Sequence, residues 1–158
     1  MRTNARGKAL IQSFESCVLR AYPDPKTGGA PWTCGWGSTG PSIGPGTVWT
    51  QAQADERFEE DLASFERMVD DAVTVTINEN QHAALVSIVF NVGPGGRNRD
   101  GIIRLKTGQP STLLRRLNEG DYAMCSNEFP KWCSPGSAVE KGLRRRREAE
   151  RALFESAP

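Results

Sequence analysis

The apolar positions of this chain change period several times, and each change marks an element. From Ala5 to about Leu19, Leu10, Ile11, Phe14 and Val18 recur at helical spacing, which predicts a first helix with Glu15 near its C-terminal end. Residues 21–31 (AYPDPKTGGAP) are turn chemistry throughout, with Asp24 between two prolines. Trp32 to Gly37 then alternates as a strand, with Trp32, Cys34 and Trp36 on one side and Thr33, Gly35 and Gly37 on the other. The two glycines strip bulk from the face that bears Thr33, as strands do where a ligand approaches the backbone closely. Residues 38–47, rich in Gly, Pro and Ser, read as further turn and irregular strand.

Helical spacing dominates the rest. Thr50 with Gln53 three residues on predicts a capping box opening a long helix, striped by Phe58, Leu62, Phe65, Val69 and Val73, with Glu66 among the acidic residues off the stripe. Asn78 and Gln81 repeat that signature before residues 83–92, apolar nearly all round and therefore central to a core; Gly93-Pro94 ends the helix. A basic loop follows at 95–110, then short helices after Ser111 and Asp121, and a last helix to about Phe154 with Ser137 and Glu140 as its capping box. The expected fold is α+β and mainly α. It has a small β lobe at about 20–50, a connecting helix at 51–73, and a helical lobe of 1–19 and 74–158, all in one domain of 1–158.

Composition supports an ordinary globular chain, with 37% hydrophobic and 25% charged residues among 158. The net charge of +1 is unevenly spread: residues 1–80 hold 7 Lys and Arg against 11 Asp and Glu, residues 81–158 hold 13 against 8. A basic second half suits an anionic polymer or an ordinary solvated face. No run approaches a membrane span, and the N-terminal apolar stretch is too short and interrupted for a signal core. With one histidine, His82, expected on a helix surface, and four cysteines in no Cys-x-x-Cys pair, neither a metal site nor a cofactor is expected. Reduced thiols are the favoured state; a Cys17–Cys34 bridge, flanking the candidate residues, would act as a redox lock.

Glu15 beside an apolar stripe, Asp24 in a solvated turn and Thr33 on the following strand form a set that can cleave a glycosidic bond. One carboxyl protonates the leaving oxygen while the other, with the hydroxyl, manages water. A Glu and an Asp nine residues apart are common by themselves; the order of helix, Glu, turn with Asp, and strand with Thr on a glycine-cleared face is what raises the signal.

That order resembles the opening of the phage-type lysozymes (glycoside hydrolase family 24), in Phe14-Glu15, Arg20-Ala21-Tyr22-Pro23-Asp24-Pro25 and Trp32-Thr33-Cys34-Gly35-Trp36-Gly37. The likeness continues through Asn80-Gln81, Phe90-Asn91-Val92-Gly93, Ser111-Thr112-Leu113-Leu114, Gly120-Asp121 and the run Arg144-Arg145-Arg146-Arg147-Glu148. The resemblance implies an endolysin muramidase that cleaves the β-1,4 bond between N-acetylmuramic acid and N-acetylglucosamine in bacterial peptidoglycan. It implies Glu15 as general acid, Asp24 as second carboxylate and Thr33 as the residue that positions water. It further implies Phe90, Asn91 and Gly35 as substrate contacts, with core packing for Phe90 and a helix cap for Asn91 as competing roles. Arg147, one turn from Leu143, would support Glu15. The partner would be peptidoglycan, with no nucleic acid and no stable membrane insertion. A monomer would accumulate in the cytoplasm of the infected host until a separate membrane-permeabilising protein released it.

Three departures stand against the family pattern. Lys26–Pro31 lengthens the Asp-to-Thr spacing, Gly37-Ser38 replaces the usual Gly-His, and the basic stretch between Gly95 and Pro110 is longer than usual. Two rival readings stand beside this one. A lytic transglycosylase would need the Glu but no partnering Asp, and a non-catalytic peptidoglycan-binding protein would use the scaffold alone.

Overall fold

The computed structural model describes Met1–Pro158. Six helices and one antiparallel hairpin follow in the order α1 (Ala5–Phe14), β1 (Val18–Tyr22), β2 (Thr33–Gly35), α2 (Gln51–Ala72), α3 (Glu79–Val92), α4 (Thr112–Asn118), α5 (Tyr122–Glu128) and α6 (Glu140–Glu155), with a 3-10 turn at Phe129–Lys131. The chain divides into two compact units, one of residues 11–63 and one of residues 1–10 with 64–158.

The smaller unit holds the hairpin. Val18 pairs with Gly35 and Tyr22 with Thr33, and the register shifts between those two pairs. The first helix therefore stops at Phe14, and the apolar residues expected to extend it to Leu19 belong partly to β1. Val18 continued the 3.6-residue period by coincidence; pairing with β2 overrides it. Ala21, Cys34 and Ile43 form a small core beneath Trp32 and Trp49. Trp36 leaves that group, packing on Phe58 at 6.2 Å between ring centroids and donating its indole N–H to Asp55.

The larger unit is organised on α3, in which residues 82–89 are all buried. Its Asn78/Gln81 capping box is formed in both directions, as is that of Thr50 and Gln53 on α2. Ser111 and Asp121 cap α4 and α5. The expected Ser137/Glu140 box on α6 is not formed: Val139 stands at the N-cap with no side-chain bond, and the Glu140 carboxylate instead accepts from the Gly136 N–H. The basic stretch at 95–110 is a folded loop. Ile102 is buried beneath it, its N–H bonded to the Gly93 carbonyl, and the backbones of Gly95 and Gly101 pass too close for a side chain on either.

Two polar residues contradict the expected surface placement. Glu66, off the apolar stripe of α2, is buried and accepts the Thr3 N–H at 2.7 Å. His82 is fully buried, with Nε2 3.1 Å from Asp70 Oδ1, and Asp70 also ion-pairs with the N-terminal ammonium. Burial depresses the His82 pKa below its ordinary value, against the opposing pull of Asp70. Below about pH 6.5 the unfolded chain therefore takes up a proton that the folded chain refuses, and stability falls until the folded pKa is reached. Replacing His82 with Gln is expected to flatten the loss of urea stability between pH 7 and 5; an unchanged slope would place the titrating group elsewhere.

Candidate active site

Glu15 and Asp24 flank β1, one three residues before it and the other two after. Glu15 continues the last turn of α1, its N–H bonded to the Ile11 carbonyl at 3.1 Å, so helix geometry fixes its backbone. Across the hairpin, the turn after β2 is closed by reciprocal bonds between Cys34 and Ser38. That turn brings Gly37 against Glu15: a Cβ on Gly37 would lie 3.3 Å from Glu15 Oε2. Gly37 also has φ +91°, a conformation that side chains disfavour. The glycine that clears space for the acid is thus Gly37. Gly37→Ala is expected to lower turnover by about tenfold, equivalent to ~1.4 kcal/mol in the barrier, through strain and displacement of the Glu15 carboxylate. Rates measured beside thermal unfolding would test this, and a wild-type rate would show that the carboxylate tolerates the methyl.

Gly35 has a different reason to be glycine. A Cβ there would meet Trp49 at 3.0 Å and Ala54 at 3.3 Å, so its open side faces the unit's own core. The simple alternation expected for residues 32–37 is broken at this point. Gly35 is buried with φ +64°, so the extended backbone that alternation requires ends there.

Asp24 sits at the far end of β1 in a closed loop. Its Oδ1 accepts the Lys26 N–H at 2.8 Å, its N–H donates to Gly29, and its carbonyl accepts from Thr27 and Gly28. The extra residues between Asp24 and Thr33 are absorbed in that loop, and Thr33 still stands opposite Tyr22 in the hairpin. Asp24 and Thr33 are both half-buried. Ser38, where the family pattern has histidine, is buried and donates to Asp61 at 2.5 Å, and Asp61 also binds Arg57 at 2.9 Å. Arg57 in turn reaches the Thr39 carbonyl, so a hydroxyl, a carboxylate and a guanidinium tie this loop to α2.

In the larger unit, Phe90 packs its ring on Phe65 of α2 at 5.2 Å. Asn91 is held by Arg147, whose Nη2 lies 2.5 Å from Asn91 Oδ1. Arg147 is fully buried, and its charge is matched by Glu150, with Nε 2.9 Å from Oε2. Glu150 is itself buried, and accepts from Ser87 at 2.7 Å and from Arg146 at 3.3 Å. Burial pushes the Glu150 pKa up and the Arg147 pKa down, each opposed by the other's charge. Sequence reasoning missed Glu150. Its position three residues after Arg147 on an inward face was the available signal.

All four cysteines are free thiols. Cys125 is pushed up to about 12 and Cys34 is raised, both chiefly by burial, which keeps them protonated and slow to oxidise. No group of His, Cys, Asp and Glu is arranged to hold a metal ion.

A carboxylate at a helix end beside a two-stranded hairpin, with a second carboxylate and a threonine at the hairpin's other end, defines a lysozyme-like α+β protein. The chain belongs to the phage lysozyme family, whose model matches residues 12–150. It is 35% identical over 161 residues to an endolysin of Acyrthosiphon pisum secondary endosymbiont phage 1, covering 99% of this chain and all of that one. It is 37% identical over 156 residues to an endolysin of Bacillus phage PZA, and there the match covers 99% of this chain but spans only 56% of the relative's length. Among solved structures, the muramidase domain of SpmX from Asticaccaulis excentricus aligns over 99% of both chains with a TM-score of 0.80 at 29% identity.

Proposed function

We propose that this chain is an endolysin muramidase, hydrolysing the β-1,4 bond between N-acetylmuramic acid and N-acetylglucosamine in bacterial peptidoglycan, with residues 1–158 acting as one lysozyme-like domain. The observation that carries the reading is the placement of Glu15, Asp24 and Thr33 about one hairpin, with Gly37 leaving room at the Glu15 carboxylate. Glu15 protonates the glycosidic oxygen as the bond breaks. Asp24, its backbone fixed by the loop, carries negative charge toward the developing oxocarbenium ion or activates water, and Thr33 orients that water. Phe90 and Asn91 contact the glycan or its substituents. Arg147, which holds Asn91 and pairs with Glu150, is the supporting arginine of the set.

No helix is long and apolar enough to cross a membrane. In this reading the protein acts as a monomer, accumulates in the cytoplasm of the infected cell, and reaches the wall through a lesion made by a separate protein. Digestion of purified peptidoglycan followed by mass spectrometry tests the reaction. Hydrated muropeptides with muramic acid reducing ends are expected. Anhydro-muropeptides would make the chain a transglycosylase, and binding to sacculi without products would make it a binding protein.

A further inference from the structure

Residues 95–110 carry four cations, Arg97, Arg99, Arg104 and Lys106, against one carboxylate, Asp100. All four cationic side chains are exposed, and none forms an ion pair or a side-chain hydrogen bond. The rest of the chain beyond this loop is different. Between 111 and 158, seven of the nine Lys and Arg side chains meet a carboxylate three or four residues away in sequence, Arg144 on Glu140 and Arg151 on Glu155 among them. The loop alone gathers several bases and gives them no acid.

The backbone that presents these charges is fixed. Its two arms cross where the Gly101 N–H donates to the Arg104 carbonyl at 3.0 Å, and a Cβ on Gly95 would lie 1.8 Å from that same oxygen. Asp100 Oδ1 accepts the Lys106 N–H at 2.8 Å, which ties the second arm to the first. Beneath them Ile102 is buried, and its carbonyl accepts from Ser111 Oγ at 2.6 Å. Arg97 and Arg99 stand on one arm, Arg104 and Lys106 on the other. A loop already ordered loses little entropy when it binds, and four like charges held together repel until a polyanion neutralises them.

The loop's chemistry narrows the partner. Three of the four cations are arginines, whose planar fork matches the oxygens of phosphate. The segment has no aromatic residue on which a base could stack, and none of its apolar residues is exposed for insertion into a bilayer. Four charges on two arms match a partner with anionic groups in close succession along one chain. We infer that residues 95–110 form a binding surface for a polyol-phosphate polymer, a hydrated chain of phosphodiesters without bases. The inference goes beyond the muramidase reading and does not depend on it.

Soluble poly(glycerol phosphate) is the probe, titrated against the full chain in salt from about 50 to 200 mM. Engagement of all four cations gives a slope of log K on log salt of about −3. The triple variant Arg97→Gln/Arg104→Gln/Lys106→Gln is expected to bring the slope to about −1 and to weaken low-salt binding by about tenfold or more, with Tm unchanged. Arg99 is left in place because it shares a cavity wall with Asn91. A control, Arg115→Gln/Arg116→Gln/Arg144→Gln, removes the same charge from paired positions and is expected to bind within about twofold of wild type. Equal weakening by the two variants would reduce the effect to net charge and overturn the inference, as would wild-type affinity in the loop variant. A flat salt dependence in the wild type overturns it without any variant. Tighter binding to single-stranded DNA or to phosphatidylglycerol vesicles would overturn polyol phosphate as the partner. On peptidoglycan oligomers free of polyol phosphate, the loop variant is expected to keep wild-type kcat/KM; a loss there would put the cations on the glycan instead and overturn the inference. A wild-type chain that binds the polymer yet cuts no peptidoglycan upholds the loop's role while the muramidase reading fails.

Discussion

Glu15→Gln is expected to lower muropeptide release by about 10³-fold, ~4 kcal/mol in the barrier, with no loss of thermal stability. The amide keeps the shape of the carboxyl and the space beside Gly37, but it has no proton of suitable acidity to give the leaving oxygen. Asp24→Asn is expected to cost about 10²-fold or more, because the loop would still hold the backbone while the negative charge near the reacting sugar is gone. The two variants are informative together. Loss at Glu15 with near-full activity at Asp24 would describe a reaction that needs one carboxyl, as in a transglycosylase. Wild-type rates for both would remove the hairpin from the mechanism altogether. Circular dichroism and Tm measured on the same preparations exclude misfolding as the cause.

The second large effect concerns stability. Glu150→Ala is expected to destabilise the fold by about 3–5 kcal/mol, because it leaves the fully buried Arg147 without its counter-charge and Ser87 without its acceptor. For a chain of this size that corresponds to a fall in Tm on the order of 10 °C. Removing both charges is a different experiment. A double variant, Glu150→Leu with Arg147→Met, is expected to recover most of the loss, since the desolvation cost of both ions disappears together. Urea denaturation of the two variants tests this. A single variant within about 1 kcal/mol of wild type would mean that water reaches Arg147 and replaces the lost partner.

The extent to which the chain could be read from its residues follows the range of the forces involved. The capping boxes at Thr50/Gln53 and Asn78/Gln81 were legible because both partners lie within one turn. The third, at Ser137/Glu140, failed because the backbone there turns through Gly136 and offers Glu140 a different N–H. The end of α1 was misplaced because Val18 fits a helical stripe and a strand equally well, and only β2, 15 or more residues away, decides between them. His82 and Glu66 look like surface residues on their own helices. They are buried because Asp70 and the N-terminal residues fold over them.

The candidate site divides the same way. The types and order of Glu15, Asp24 and Thr33 are a matter of local chemistry, legible along the chain as a set that can cleave a glycosidic bond. Which glycine makes room for the acid is a matter of tertiary position: Gly35 backs onto Trp49 and Ala54, while Gly37 faces Glu15. That Arg147 points inward follows from its helical phase. That it is matched by Glu150 and grips Asn91, 56 residues earlier, depends on packing α6 against α3. Periodicity, capping and turn chemistry act within a few residues and are written along the chain; burial, counter-charge and the orientation of an amide depend on what the fold brings alongside.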